Sequence, residues 1–321
     1  MKRRGFLFEL GIAVAAIVVL ALLPNVFASK APIDFVIRVA AFGIFACSLN
    51  ILVGYTGLVS FGHGMFFGAG AYTFGLLMQN SGTSVPTAII LTVLSAAVLA
   101  AVVGAICVRL KEIYFAFLTL AFQMLLHSLI ISWQQLTGGD QGLMGGIPRP
   151  PFLGIDLSNQ THLYVFACVI LVLSLFIMRH LMQSPFGYTL RMIRDNPERA
   201  RYLGIRVWRL RLSAFVIAGI FASIGGVVMS LLVSGAYPEF AYWTISGEGI
   251  FMLMLGGTSA FLGPVAGTML LLVLNDVITK FTEYYGLTLG VVILVFALGL
   301  RKGVVDFALD ILSRRLGKSK T

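Results

Sequence analysis

Groups able to carry acid–base or metal chemistry are sparse in this chain of 321 residues: four histidines, His63, His127, His162 and His180, and 13 carboxylate side chains. Metal sites and zinc hydrolases take clustered His, Cys and carboxylate ligands at short, fixed spacings. The histidines are far apart and none has a carboxylate at such a spacing, so neither a metal site nor a membrane hydrolase is expected. The Gly-Lys-Ser at Gly317-Lys318-Ser319 has Leu312 where a phosphate-binding loop needs glycine, which excludes ATP binding by that route. Cys47, Cys107 and Cys168 all lie in apolar runs and behave there as small hydrophobes. Asp34 and Arg38 are four residues apart, as are Asp276 and Lys280, spacings that place each pair on one helix face. Glu248 alone stands in the middle of an apolar run without a partner in sequence.

The elements that must position these residues are apolar. The composition is 59% hydrophobic and 11% charged, against about 25% charged in an ordinary soluble domain. A water-soluble enzyme is thereby excluded. A spanning helix needs about 20 apolar residues at about 1.5 Å of rise each. By that measure the chain is an all-α polytopic membrane protein with about ten transmembrane or re-entrant helices (eight to ten). They are expected near residues 6–23, 33–53, 65–80, 86–108, 113–133, 162–180, 212–234, 242–257, 264–281 and 286–300. The 65–80 and 242–257 runs are short enough to be re-entrant. The first run follows Lys2-Arg3-Arg4 but exceeds the apolar length of a secretory signal, and it reads as an uncleaved span.

From Gly54 to Gly75 the sequence GYTGLVSFGHGMFFGAGAYTFG carries seven glycines in 22 residues. Glycine costs about 1 kcal/mol relative to alanine inside a helix, so the pattern predicts a break after the 33–53 span and then a short helix. Broken backbone survives in lipid only where protein or a water-filled path satisfies its amides. Gly54, Tyr55, Thr56, Gly57, Ser60, Phe61, Gly62, His63 and Gly64 are therefore candidates to line a solute path, although steps such as Gly64/Gly68 also suit close helix packing. A second break at Gly256-Gly257, followed by Gly263-Pro264 and Gly267, adds Gly256, Gly257 and the lone Glu248. Interrupted segments in both halves of a chain point to a solute site near the membrane midplane.

Lys and Arg are retained on the cytoplasmic side. With ten spans and both termini cytoplasmic, all but four of the 23 basic residues (Lys30, Arg38, Arg149 and Lys280) fall on the inner side. The net charge of +10 is then a signature of topology and anionic-lipid contact, with no call for nucleic acid. Seven arginines lie between Arg191 and Arg211, in a segment too polar to cross. There Asp195 or Asn196 can cap a helix beginning at Pro197 and Gly204 can end it. Such a helix either lies on the inner leaflet or docks a cytoplasmic partner.

Glu198, Ala200 and Gly204 reproduce the Glu-x-Ala-x-x-x-Gly core of the loop by which permeases of ATP-binding-cassette importers seat on their ATPases. Arg199 replaces the usual second alanine and no Leu-Pro follows. Together with GYTGLVSFGHGMFFGAGAY (54–72), TGGDQGLMGGIPRP (137–150), LGI (203–205) and WTISGEGIFMLMLGGTSAFLGPVAG (243–267), the chain resembles the permeases of branched-chain amino-acid importers, and most of all their LivM-type subunit.

The resemblance implies one permease domain over 1–321 in a bacterial-type inner membrane, with no enzymatic activity, cofactor or metal of its own. It implies a second homologous permease, two cytoplasmic ATPase subunits and an external solute-binding protein. ATPase docking would fall to Arg194, Asp195, Glu198, Ala200, Leu203 and Gly204 in the cytoplasmic loop 181–211, and the binding protein would meet the glycine-rich external loop 134–161. The implied solutes are leucine, isoleucine and valine, while relatives resemble urea, amide and aromatic-acid importers. Glu248 would then either anchor a neighbouring helix or meet a solute ammonium. The alternative from another class is a stand-alone secondary amino-acid carrier or channel.

Overall fold

The computed structural model describes residues 11, 15, 17, 31–143, 145–149, 156–281, 284–299 and 303–307. The expected span at 6–23 therefore lies almost wholly outside the described residues, as do Lys2, Arg3, Arg4, Lys30 and the basic residues from Arg301 onward. Among the described residues every regular element is helical. Those of six residues or more are, in chain order, α1 (Ala31–Asn50, prolonged by a π turn, Ile51–Thr56), α2 (Gly64–Asn80), α3 (Val85–Cys107), α4 (Glu112–Ser132), α5 (Gln160–Gln183), α6 (Pro185–Asp195), α7 (Pro197–Tyr202), α8 (Val207–Val233), α9 (Trp243–Gly256), α10 (Gly263–Phe281) and α11 (Tyr285–Gly299), with shorter helical turns at Gln134–Thr137, Gly139–Gln141 and Pro238–Ala241.

Six helices, α1 with its π turn, α3, α4, α5, α8 and α10, are long and apolar enough to cross a membrane. Each of the nine runs expected between residues 33 and 300 coincides with a helix, and three of these helices are shorter than a full span. The runs expected at 65–80, 242–257 and 286–300 form helices of 17, 14 and 15 residues, and α2 and α9 are each preceded by a connecting segment, irregular at 57–63 and containing a 3-10 turn (Pro238–Ala241) at 235–242.

These elements fall into two series of the same order: long helix, connecting segment, short helix, then two more helices. One series is α1, 57–63, α2, α3 and α4; the other is α8, 235–242, α9, α10 and α11. Their packing corresponds as well, since α8 lies against α2 and α3 while α1 lies against α9 and α10. The series run in opposite directions. The π turn ending α1 meets Arg194 through the Gly54 carbonyl, and α8 starts at the same end, where Arg109 stacks over Trp208 at 4.9 Å. Beyond the far end of α8, the Ala236 carbonyl accepts from Leu143 N–H at 2.8 Å. Arg109, Arg179, Arg191 and Arg194 thus gather at one end of the bundle, with Arg179 over Phe261 and Arg191 over Tyr55.

Tertiary structure also repartners the charges. Arg38 does not pair with Asp34; it reaches α10 and forms a two-point ion pair with Asp276 at 3.1 and 2.6 Å, while Asp34 accepts from the Gln160 side chain. Asp276 accordingly faces Arg38 and not Lys280 on its own helix.

Candidate functional site

Where the two series meet at mid-depth, the starts of α2 and α9 are joined by one polar chain. Gln123, midway along α4, donates to the Tyr242 carbonyl at 2.7 Å and accepts from Ser246 Oγ at 2.7 Å. Ser246 Oγ in turn accepts from Gly64 N–H at 2.8 Å. Gly64 N–H is the first amide of α2, a group no intrahelical carbonyl can satisfy, so a side chain from α9 caps α2. Close by, His63 Nε2 lies 2.8 Å from Ser48 Oγ, which also lies 2.7 Å from the Phe45 carbonyl. With the single hydroxyl proton of Ser48 directed at that carbonyl, His63 donates from Nε2–H. His63 is fully buried and rings of Phe45 and Phe66 pack around it.

The segment 57–63 has no regular secondary structure, and burial alternates along it from Leu58 to Gly62. Leu58, Ser60 and Gly62 are buried, while Val59 and Phe61 are 37% and 41% exposed. Gly57 makes the turn possible with φ 74°, a conformation that side chains with a Cβ resist. Gly62 allows the close approach to α4: a Cβ there would sit 2.0 Å from the Thr119 carbonyl oxygen. Of the candidate path residues, Gly54, Tyr55, Thr56, Ser60, Gly62, His63, Gly64 and Gly256 are buried and face protein; Phe61 is exposed. Val59, not singled out from the sequence, shares that exposed side. On α9, Trp243 and Thr244 are exposed, Gly247 has no atom within 4 Å of where its Cβ would be, and Glu248 is half-buried. Among the described residues Glu248 makes no hydrogen bond or ion pair.

The second break lies at the basic end, more than two helical turns from Glu248 along α9. Its glycines permit backbone to touch backbone: a Cβ on Gly256 would sit 1.9 Å from the Gly263 carbonyl oxygen. Gly257, with φ 93°, turns the chain toward Thr258, whose carbonyl accepts from Asn50 at 3.3 Å. Asp306 accepts from the Ser259 and Ala260 N–H groups at 3.1 and 2.9 Å and so holds the turn. Sequence reading missed Asp306; a carboxylate a few residues after Arg301 and Lys302 was the available signal.

The arginine segment forms two helices. α7 matches the expected capped helix: Asn196 accepts from Arg199 N–H at 2.9 Å, Pro197 begins it, and Gly204 follows at φ 80°. α6, not foreseen, buries Gly187, Leu190 and Ile193. Of the six docking candidates, Ala200 is buried against Ile193 and Val207, whereas Leu203, Glu198 and Asp195 are exposed, Glu198 bonded to Arg201. Arg194 connects the two candidate groups, since it donates to the Gly54 carbonyl and pairs with Asp195 at 3.1 Å. Its aliphatic stem also lies against Gly57.

At the opposite end, the described part of loop 134–161 is fastened to the bundle. Ile147 N–H donates to the Ser234 carbonyl at 3.0 Å and Gln79 to the Gly146 carbonyl at 2.9 Å. Among the described residues no three His, Cys, Asp or Glu side chains gather as metal ligands.

Residues 31–298 match the family model described as the permease component of the branched-chain amino acid transport system. The chain is 27% identical, over 95% of its own length and 77% of theirs, to the high-affinity branched-chain amino acid transport system permease proteins LivM of Salmonella typhimurium and Escherichia coli. It is also 28% identical to the autoinducer 2 import system permease protein LsrC of Salmonella paratyphi B, over 60% of this chain and 53% of that one. No solved structure matches it.

Proposed function

The chain belongs to the branched-chain amino-acid transport permease family, and from that premise we propose that it is the passive path subunit of an ATP-binding-cassette importer carrying leucine, isoleucine and valine, or a related small polar solute, across the inner membrane. In this reading the arginine-rich end is cytoplasmic and both termini lie there. α6 and α7 seat on the ATPases, the glycine-rich loop 134–161 faces the external binding protein, and a second permease closes the path. The chain itself performs no covalent chemistry.

The observation that carries this reading is the bond from Arg194 to the Gly54 carbonyl. It ties the segment resembling an ATPase-docking loop directly to the turn from which the broken segment 57–63 departs. Closure of the ATPases then moves α6 and α7 as a unit with the end of α1, and that movement reaches Val59 and Phe61 through a short connecting segment. In the assembled importer, Arg194→Ala should lower uptake and the stimulation of ATPase activity by loaded binding protein by tenfold or more, while the subunits still co-purify. Stimulation equal to the parent's would refute the coupling role.

The path itself is half-built in one chain. In this reading the exposed Val59, Phe61 and Thr244 and the half-buried Gly247 and Glu248 face a second permease. The first turn of α9 presents the positive end of a helix dipole, which favours a solute carboxylate, and Glu248 lies about one turn, or about 5.4 Å, further along. That placement and the lack of a protein partner favour ammonium recognition over a helix anchor for Glu248. With binding-protein affinity unchanged, Glu248→Gln should lower amino-acid transport by at least tenfold; transport at the parental rate would remove Glu248 from solute recognition.

A further inference from the structure

A cavity of about 670 Å³ opens at the end of the bundle opposite the arginine segment, between the first turns of α1 and α5, the end of α8 and Arg149. One carboxylate and one guanidinium line it. Asp34 accepts from the side-chain amide of Gln160. Arg149 donates to the Leu232 carbonyl at 3.2 Å and to Ser234 Oγ, and its Nε is buried with no hydrogen-bond partner. Burial pushes the Arg149 guanidinium down from its ordinary pKa, and the nearby Asp34 carboxylate opposes that shift. The two charges line the same cavity without pairing with each other. Ser158 and Thr161 add polar groups, and Ile33, Leu163 and Leu232 add apolar wall.

Half-buried opposite charges that remain apart leave each other's field uncompensated at short range, and a ligand with both signs removes that cost. We propose that this cavity is a binding site for a small zwitterion whose primary ammonium meets Asp34 and whose anionic group meets Arg149. Two sources share that chemistry: a free α-amino acid, with a carboxylate, and an ethanolamine phospholipid headgroup, with a phosphate. The site shares no residue with the side formed by Val59, Phe61, Thr244 and Glu248, so it stands apart from the proposed path and does not depend on it.

The test uses the chain with its partner permease and ATPases in phosphatidylcholine nanodiscs, without binding protein. Leucine and dihexanoyl phosphatidylethanolamine are titrated by calorimetry, with isovalerate and isoamylamine as single-charge controls for leucine. Saturable binding of at least one zwitterion is expected, weakened tenfold or more in both Asp34→Asn and Arg149→Gln, with leucine favoured tenfold or more over either control if leucine binds. Binding of leucine alone identifies a free-solute site and binding of the phospholipid alone a headgroup site. Asp34→Asn retains an acceptor for Gln160, and an unchanged thermal transition verifies its fold. Absence of saturable binding, or parental affinity in either cavity variant, overturns the proposal. Loss of binding confined to Glu248→Gln would place the probe in the path and overturn it as well.

Discussion

Two glycines, Gly62 and Gly247, differ in what surrounds them, and that difference separates a packing role from the proposed path. Gly62 precedes Ser246's neighbour α2 at a point where a Cβ would collide with the Thr119 carbonyl at 2.0 Å, while Gly247 follows Ser246 with no atom within 4 Å of its Cβ position. A backbone oxygen cannot swing away as a side chain can, so Gly62→Ala should destabilise the subunit by about 1–3 kcal/mol, measured as a lower midpoint of thermal unfolding. Gly247→Leu should leave that midpoint unchanged and reduce uptake severely; parental uptake would place Gly247 away from the path. The sequence marked the glycine stretch as a break, because glycine's cost in helices is local. It could not tell which glycines face backbone and which face open space, since the opposing atoms lie 57 residues or more away for Gly62 and on other helices in general. Val59 escaped notice for the same reason: it is an ordinary apolar residue until the folded backbone turns it outward.

At the scale of elements, helix α7, proposed to dock the ATPase, was legible because capping is short-range chemistry. Asn196, Pro197 and Gly204 each act within a few residues of themselves, and α7 forms between them. Asn196→Ala removes the acceptor for Arg199 N–H, a loss of about 1 kcal/mol, and should weaken ATPase stimulation in the assembled importer more than it lowers subunit yield. The reverse order would make the cap purely structural. Helix pairing was less legible. Arg38 has an acidic residue four places before it, yet it bonds Asp276, 238 residues away. Replacing Arg38 with Asp, or Asp276 with Arg, should lower the unfolding midpoint by setting like charges together, and combining the two should restore most of it. A double variant no better than the single ones would show that the pair contributes nothing to joining α1 and α10. The bond from α6 to the π turn of α1 was equally hidden, since Arg194 and Gly54 lie 140 residues apart and only the fold brings them together.

Across the whole molecule, two series of helices in opposite directions place the starts of α2 and α9 together at mid-depth, joined through Gln123, Ser246 and Gly64. The sequence shows the two breaks but no residue-level repeat, because the correspondence is one of element order and packing, which many apolar sequences satisfy. Composition alone was sufficient to exclude a soluble enzyme, and the grouping of arginines at one end of the bundle agrees with the retention of positive charge on one side of a membrane. The proposed role assigns the energy source to partner subunits, and this makes dependence on them the central claim. The direct measurement is uptake of labelled leucine, isoleucine and valine into proteoliposomes, with loaded binding protein outside and ATP inside, comparing this chain alone with the chain assembled with a second permease and two ATPases. The account predicts uptake only from the full assembly and only with hydrolysable ATP; uptake by the chain alone, without ATP, would contradict it.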